Sequence, residues 1–309
     1  MSNKLNLSVS PHIHSKNSTS TIMRDVIIAL LPAAVAGVVI FGLRALGVIA
    51  VCVAVAVISE YIFNYITKKE QTIGDLSAVV TGLLLALNLP ANTPLWQAAI
   101  GSIFAIIVVK CLFGGIGCNI VNPAITARVF MLIAFTNLSS AAFPTLVDTV
   151  AGATPLAILK DGGLVSIESL VFGTIGGAIG ETCKIALVLG GIYLLVRRVI
   201  TWHIPIIYIT TTFIFTFILQ DFDILQSLSF TLSGGLILGA FFMATDYVTS
   251  PATKWGKVIF AVGAGLLTVV IRTWGSYPEG VSFAILLMNI LNPYICSWTP
   301  RKLFGGKGK

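Results

Sequence analysis

Four stretches of this chain run as nearly unbroken apolar blocks: Val26 to Phe41, Val48 to Ile66, Ile100 to Phe113 and Val258 to Ile271. Each approaches the about 20 residues that a helix needs to cross a hydrocarbon core. Backbone N–H and C=O groups at that depth find no water, so a spanning segment must pair them internally, and a helix does so within itself. The alternating pattern of an outer-membrane barrel is absent. Composition agrees: of 309 residues, 56% are hydrophobic and 10% charged, against about 25% charged in an ordinary soluble domain. Too few polar side chains remain to cover a water-soluble globule. The sequence predicts an all-α integral membrane protein.

Taken block by block, the pattern places about ten transmembrane helices near 24–43, 46–66, 74–89, 96–113, 119–136, 182–199, 204–219, 228–245, 256–273 and 281–298. A polar N-terminal segment, 1–23, precedes them, and a basic tail, 299–309, follows. Between the fifth and sixth helices lies the longest non-helical connection, 137–181, rich in Ser, Thr, Gly, Pro and Asp. Connections of that length are more often functional than filler. The chain also repeats itself. Gly82 to Trp96 is echoed by Gly239 to Trp255, and Lys110 with Asn122-Pro123 by Arg272 with Asn292-Pro293. An odd number of helices per half makes the second half enter from the opposite face. The expected architecture is therefore two inverted five-helix repeats, 24–136 and 182–298.

The formal net charge of +7 is explained by topology rather than by nucleic acid. Lys68-Lys69, Arg197-Arg198, Lys254 with Lys257, and the tail Arg301, Lys302, Lys307 and Lys309 all fall on one side when the N-terminus is cytoplasmic. The opposite side keeps Arg44, Lys160, Arg272 and the acidic turn Asp221–Asp223. This is the positive-inside pattern, and it predicts a multi-pass inner-membrane protein with both termini in the cytoplasm. No small-residue cleavage site follows the first block, so no cleaved signal peptide is expected. The five cysteines, Cys52, Cys111, Cys118, Cys183 and Cys296, form no C-x-x-C pair. Small core residues are their expected role. His12-x-His14 is a flexible surface pair, and no H-E-x-x-H, G-x-S-x-G or P-loop is present.

Three features carry possible chemistry. Gly152-Ala153-Thr154-Pro155 gives close access to the Thr154 hydroxyl, and Pro155 biases Thr154 toward extended backbone; an ordinary turn gives the same pattern. The glycine-rich break from Phe113 to Ala124 lets a helix restart near Asn119. Its free N–H groups and positive dipole end would then face the gap, beside Asn122, and suit an anionic ring edge; a tight packing turn is the other reading. Third are ionisable groups in or beside apolar blocks: Glu60, Lys110, Arg128, Glu181, Lys184, Asp246, Arg272 and Glu279. A charge at the bilayer centre costs about 2.5–3.5 kcal/mol on insertion scales, so such residues are functional candidates. Arg128 is the most internal, placed to neutralise an anion or to pair with a carboxylate such as Glu181. Asp246, Glu279 and Lys110 are candidates for an ion path.

Several of these residues lie in long specific motifs: Ser10 to Ala33, Gly82-LLLALNLP, Gly114-GIGCNIVNPA with Arg128, Gly152-ATPL, Gly173-TIGGAIGE, Phe241-FMATDYVTSP and Arg272-TWGSYPEGVSFAILLMNILNP. Over essentially its whole length the chain resembles the family formed by the D subunits of Rnf-type ion-translocating electron-transport complexes and the B subunits of the sodium-translocating NADH:quinone reductases. The short N-terminal segment resembles the former more closely. The resemblance implies a fold distantly like urea channels and an FMN joined by a phosphoester to Thr154. The hydroxyl displaces AMP from FAD, which requires a separate flavin transferase. Gly152, Ala153, Pro155, Asn119, Asn122 and Arg128 are the expected surroundings of flavin, and a second, non-covalent riboflavin is implied between the halves. The family's motif usually carries a hydroxyl or acidic residue three positions before the modified Thr, where this chain has Ala151; Asp148 and Thr149 stand just upstream. The implied role is an electron relay and part of the Na⁺ or H⁺ path within a multi-subunit ferredoxin:NAD oxidoreductase. A flavin-free urea-like channel or transporter and a quinone-reducing component of a related complex are the rival readings.

Overall fold

The structure is a computed structural model that describes residues 18–135, 154–160, 163, 165–275 and 279–300. Gly152 and Ala153, much of the long connection, the segment before Ser18 and the basic tail lie outside the described residues. The helices are α1 (Thr19–Phe41), α2 (Leu43–Ile66), α3 (Ser77–Leu87), α4 (Leu95–Cys111), α5 (Pro123–Ala134), α6 (Pro155–Lys160) and α7 (Ile167–Phe172). They continue with α8 (Lys184–Val196), α9 (His203–Leu219), α10 (Ile224–Leu232), α11 (Leu236–Met243), α12 (Lys254–Trp274) and α13 (Gly280–Trp298). Among the described residues the chain is otherwise irregular, apart from a short 3-10 turn, Ile73–Asp75, and one isolated antiparallel bridge between Pro90 and Ala178.

Four helices, α1, α2, α12 and α13, are long and apolar enough to cross a bilayer. α10 and α11 together make a fifth candidate, bent by 64° at a short break. The helices present rows of apolar residues outward at i, i+4 spacing: Val35 and Val39 on α1, Ile58 and Ile62 on α2, Ile214 and Ile218 on α9, Leu287 and Leu291 on α13. In water such rows would be a liability; in lipid they face their own solvent. The interior is correspondingly mixed, and Arg128 and Arg272 rank among the largest fully buried side chains beside Tyr208 and Phe260.

Local sequence chemistry sets where the helices begin and end. Ser18 caps α1 by accepting from the Thr21 N–H at 3.2 Å, and Gly42, at φ 74°, ends it. Asp223 caps α10 through Leu225 and Gln226, and Thr253 caps α12 through Gly256. Each cap satisfies a donor that a helix start would otherwise leave bare. The close crossing of α3 over α2 depends on Gly82, where a Cβ would stand 2.8 Å from the Cys52 carbonyl oxygen. Small residues let helix backbones approach within a membrane, where packing rather than hydrophobic exclusion holds helices together.

Several boundaries correct the sequence-based expectation. The helix expected over 119–136 starts at Pro123, because Asn122 accepts from the Ala124 and Ile125 N–H groups and Pro123 cannot donate. The helix expected over 228–245 is two helices, parted at Ser233-Gly234-Gly235, with Gly234 at φ 65°. The connection 137–181 is not wholly non-helical, since α6 and α7 lie within it. Cys52 and Cys111 are buried as expected, whereas Cys118 and Cys296 are exposed.

Candidate functional site

Polar and charged side chains concentrate at helix ends and breaks, in three groups. The first joins α2, α3 and α4. Lys110 donates to both oxygens of Glu60, at 2.9 and 3.0 Å, and to Ser77 Oγ at 2.6 Å. Thr72 also donates to Glu60, at 2.7 Å, and Asn64 donates to Thr72 at 3.1 Å. Ser77 in turn donates to Asp75. Lys110 lies in the last turn of α4, where the backbone widens to i→i−5 bonding, as in Leu112 N–H to Ile107 O at 3.0 Å. Such widened turns are rare and recur at functional sites. Isolated, either charge would be costly to bury; paired and hydrogen-bonded, they hold each other.

The second group lines a cavity of about 400 Å³ between α1, α3, α5, α8 and α11. Its walls are mostly apolar, Met23, Leu84, Leu194 and Phe242 among them, with Ser77, Thr81, Lys110, Asn119, Asn122 and Asp246 as the polar inserts. Asp246 accepts from Thr249 Oγ1 at 3.1 Å. Asn119 donates to the Val121 carbonyl at 3.1 Å. Asn122 bonds in two directions. Its oxygen caps α5, and its Nδ2 donates to the Met243 carbonyl at the end of α11, 3.2 Å away. Set with its oxygen toward the Asn122 N–H and its nitrogen toward the Thr249 carbonyl, each at 3.2 Å, the buried Asn289 amide ties α13 to the same junction. The expected helix start is thus real but shifted. Asn119 and Asp246, predicted for different roles, share one wall.

The third group surrounds Thr154. Its hydroxyl accepts from the Ala157 N–H at 3.2 Å, capping α6. It borders a small cavity of about 30 Å³ with Pro155, Glu181, Thr182, Lys184, Gly234 and Glu279. Arg128 pairs with Glu279 at 2.8 Å rather than with Glu181 as its expected partner. Glu181 instead accepts from the Ala178 N–H at 2.9 Å. Lys184 donates to the Glu181 and Gly234 carbonyls. Arg272, expected on the side opposite the cytoplasm and among the ionisable groups beside apolar blocks, is 1% exposed and donates to the Phe230 and Ser233 carbonyls at 2.8 and 3.0 Å. Among the described residues Arg128 Nη1, Arg272 Nε and Thr182 Oγ1 are buried without a hydrogen-bond partner. Three cations and two carboxylates meet here, an excess of one positive charge.

Sequence reasoning singled out Thr154, Arg128, Asn119, Asn122, Asp246, Glu279 and Lys110, and each takes a place in one of these groups. It did not foresee that Glu60 holds Lys110, or that Lys184 and Arg272 cap the end of α10. No signal short of the fold carries either fact: the partners are 50 and about 40 residues apart, and half of them are backbone carbonyls.

In a helical membrane protein, buried ion pairs and cations seated on carbonyls at helix breaks are candidates for a path that moves charge. Comparison with known proteins is more specific. The model of the NQR2, RnfD, RnfE family matches residues 6–305, and the chain belongs to that family. It is 49% identical to the D subunit of the Na⁺-translocating ferredoxin:NAD⁺ oxidoreductase complex of Acetobacterium woodii, over 98% of this chain and 96% of the relative. It is 42% identical to the D subunit of the proton-translocating ferredoxin:NAD⁺ oxidoreductase complex of Clostridium ljungdahlii, covering 98% and 97%. Against the D subunit of the ion-translocating oxidoreductase complex of Aliivibrio salmonicida the identity is 35%, covering 96% and 97%.

Proposed function

We propose that this chain is the flavin-bearing membrane component of an ion-translocating ferredoxin:NAD⁺ oxidoreductase, relaying electrons through an FMN esterified to Thr154. The observation that carries the reading is the place of Thr154: its hydroxyl borders a small buried cavity shared with Lys184, and Arg128, paired with the lining Glu279, keeps an unpartnered Nη1. That donor set suits the phosphate of a phosphoester. A cavity of about 30 Å³ is far below the about 300–1,000 Å³ of cofactor pockets, so it would take the phosphate and not the ring system. When bound, FMN supplies the ability to accept electrons singly or in pairs. The chain's own residues do the rest. Lys184 and Arg272 hold the break of the bent span through its carbonyls. The Arg128–Glu279 pair fixes one guanidinium nitrogen and leaves Nη1 free to meet negative charge.

The larger cavity suits a second, uncharged flavin such as riboflavin. Its volume of about 400 Å³ and its apolar wall with few polar inserts are those of a small-molecule site. Asn119, Asn122 and Asp246 would bind the polar edge of the ring. The ion path is assigned to Lys110, Asp246 and Glu279, which are among the titratable groups lining the two cavities. The coupling ion is Na⁺ in one relative and a proton in another, and either suits these groups. Other subunits of the complex and a flavin transferase are the partners this role requires.

The same reading assigns ten spans in two inverted repeats. The four long helices, the bent pair and the five shorter apolar helices α3, α4, α5, α8 and α9 sum to ten. Lys110 and Arg272, echoed in the sequence, both stand in the last turns of their helices, buried and donating to oxygens. The positive-inside pattern puts both termini in the cytoplasm of an inner-membrane protein. The test is in-gel flavin fluorescence of the denatured chain from cells that make its transferase. A fluorescent band that disappears in Thr154→Ala, with the protein still in the membrane, is expected; an equally bright Thr154→Ala band overturns the assignment.

A further inference from the structure

The break between α10 and α11 is built like a cation site. α10 ends at Leu232, and its last carbonyls, with those of Ser233 and Gly234, have no following helical turn to bond. They mark the negative end of a helix dipole inside an apolar surround. Phe230 and Ser233 carbonyls are taken by Arg272. The Gly234 carbonyl, made available by the left-handed backbone of Gly234 (φ 65°), accepts from Lys184 Nζ at 2.7 Å, and the Glu181 carbonyl accepts from the same ammonium. The Glu181 carboxylate reaches the break as well, its Oε2 standing 3.1 Å from where a Cβ on Gly235 would be. Thr182 lines the same small cavity, 6% exposed, and its Oγ1 is without a partner among the described residues. Two carbonyls, an unused hydroxyl oxygen and a nearby carboxylate are hard oxygen donors of the kind that bind alkali cations.

We propose that the Lys184 ammonium is a tethered cation filling a monovalent-cation seat in the break of the bent span. A cation moving along that span enters the seat only when Lys184 withdraws. The seat rests on the geometry alone; its part in translocation rests on the function proposed above. An ammonium and a hydrated alkali ion carry the same charge, and the carbonyls do not distinguish them by sign. Only the tether makes Lys184 the standing occupant, because its effective concentration at the seat is fixed by the chain.

The experiment is thermal unfolding of the detergent-solubilised complex carrying Lys184→Met, in choline chloride and with added NaCl or KCl. Bare carbonyls should lower the unfolding midpoint by several degrees in choline. Na⁺ or K⁺ should raise it again in a saturable way, since a ligand that binds only the native state stabilises by mass action. The wild-type complex, its seat filled, should lack that response. Thr182→Val should leave the wild type unchanged yet remove the Na⁺ response of Lys184→Met. Lys184→Ala provides the second test, with methylammonium as the probe in place of the lost side chain. A Lys184→Met complex that melts like wild type in choline overturns the seat. So does loss of stability in both variants with no response to Na⁺, K⁺ or methylammonium. Flavin at Thr154, which borders the same cavity, is read separately by in-gel fluorescence of the same variants, so loss of the flavin and loss of the seat are told apart.

Discussion

The two cavities of this protein are built to opposite rules. The larger, about 400 Å³, is walled by side chains of α1, α3, α5, α8 and α11, and its polar groups stand singly among apolar ones. The smaller, about 30 Å³, is lined by three ionisable residues, Glu181, Lys184 and Glu279, beside the helix break at Gly234. A roomy apolar cavity selects by shape, with a few hydrogen bonds for orientation. A tight ionic one selects by charge and holds little besides an ion or a phosphate. On the function proposed above, the first cavity would take the ring of a non-covalent ligand and the second a tethered phosphate. It also explains why the two differ in what removal of one residue should do.

Where charges are paired and buried, deletion of one partner should be felt most. Lys110→Met leaves Glu60 buried, its carboxylate facing Thr72 alone, and should cost about 3–5 kcal/mol. The check is the thermal midpoint of the solubilised complex, and Lys110→Met with Glu60→Gln should recover part of the loss. A single variant as stable as wild type would break the claim that this pair supports the wall of the larger cavity. Next comes Asp246→Asn, which turns an acceptor of the Thr249 hydroxyl into a group that is part donor. It should weaken retention of a non-covalent flavin by about 1–3 kcal/mol, seen as flavin lost on washing, while covalent flavin stays constant. Equal loss of both flavins would mean that the cavities do not act separately. The smallest effect is expected from Arg128→Leu. It should slow flavin reduction by about tenfold, equivalent to about 1.4 kcal/mol in the barrier, with the unfolding midpoint moved less than by Lys110→Met. Stopped-flow rates equal to wild type would return Arg128 to a structural role as the partner of Glu279.

Much of this arrangement is legible in the sequence, and the illegible part has a physical reason. Apolar blocks give the helices because the bilayer leaves no other way to pair the backbone. The start of α5 at Pro123 is also written there, as Asn122-Pro123, a capping residue followed by the one residue that needs no donor; the glycines before Asn119 draw attention away from it. The Gly234-Gly235 pair likewise marks a break inside an apolar run, one that averaging over the block conceals. Interior charges can be picked out, since a charge in an apolar block must have a partner. Which partner cannot. Glu60 and Lys110 meet across 50 residues, Arg128 chooses Glu279 across 151, and Lys184 and Arg272 choose carbonyls, which every residue carries alike. The sequence pattern locates the charges; only the packing of helices decides whom they bind.

The central claim is that a covalently held flavin sits where the ionic cavity meets the hydroxyl of Thr154. Intact mass of the denatured chain, purified from cells that also make its flavin transferase, tests it most directly. The expected result is a chain heavier by one FMN less a water, with Thr154→Ala at the unmodified mass. A wild-type chain of unmodified mass would contradict the claim, and would leave Ala151, three residues before Thr154, as the departure to reverse first.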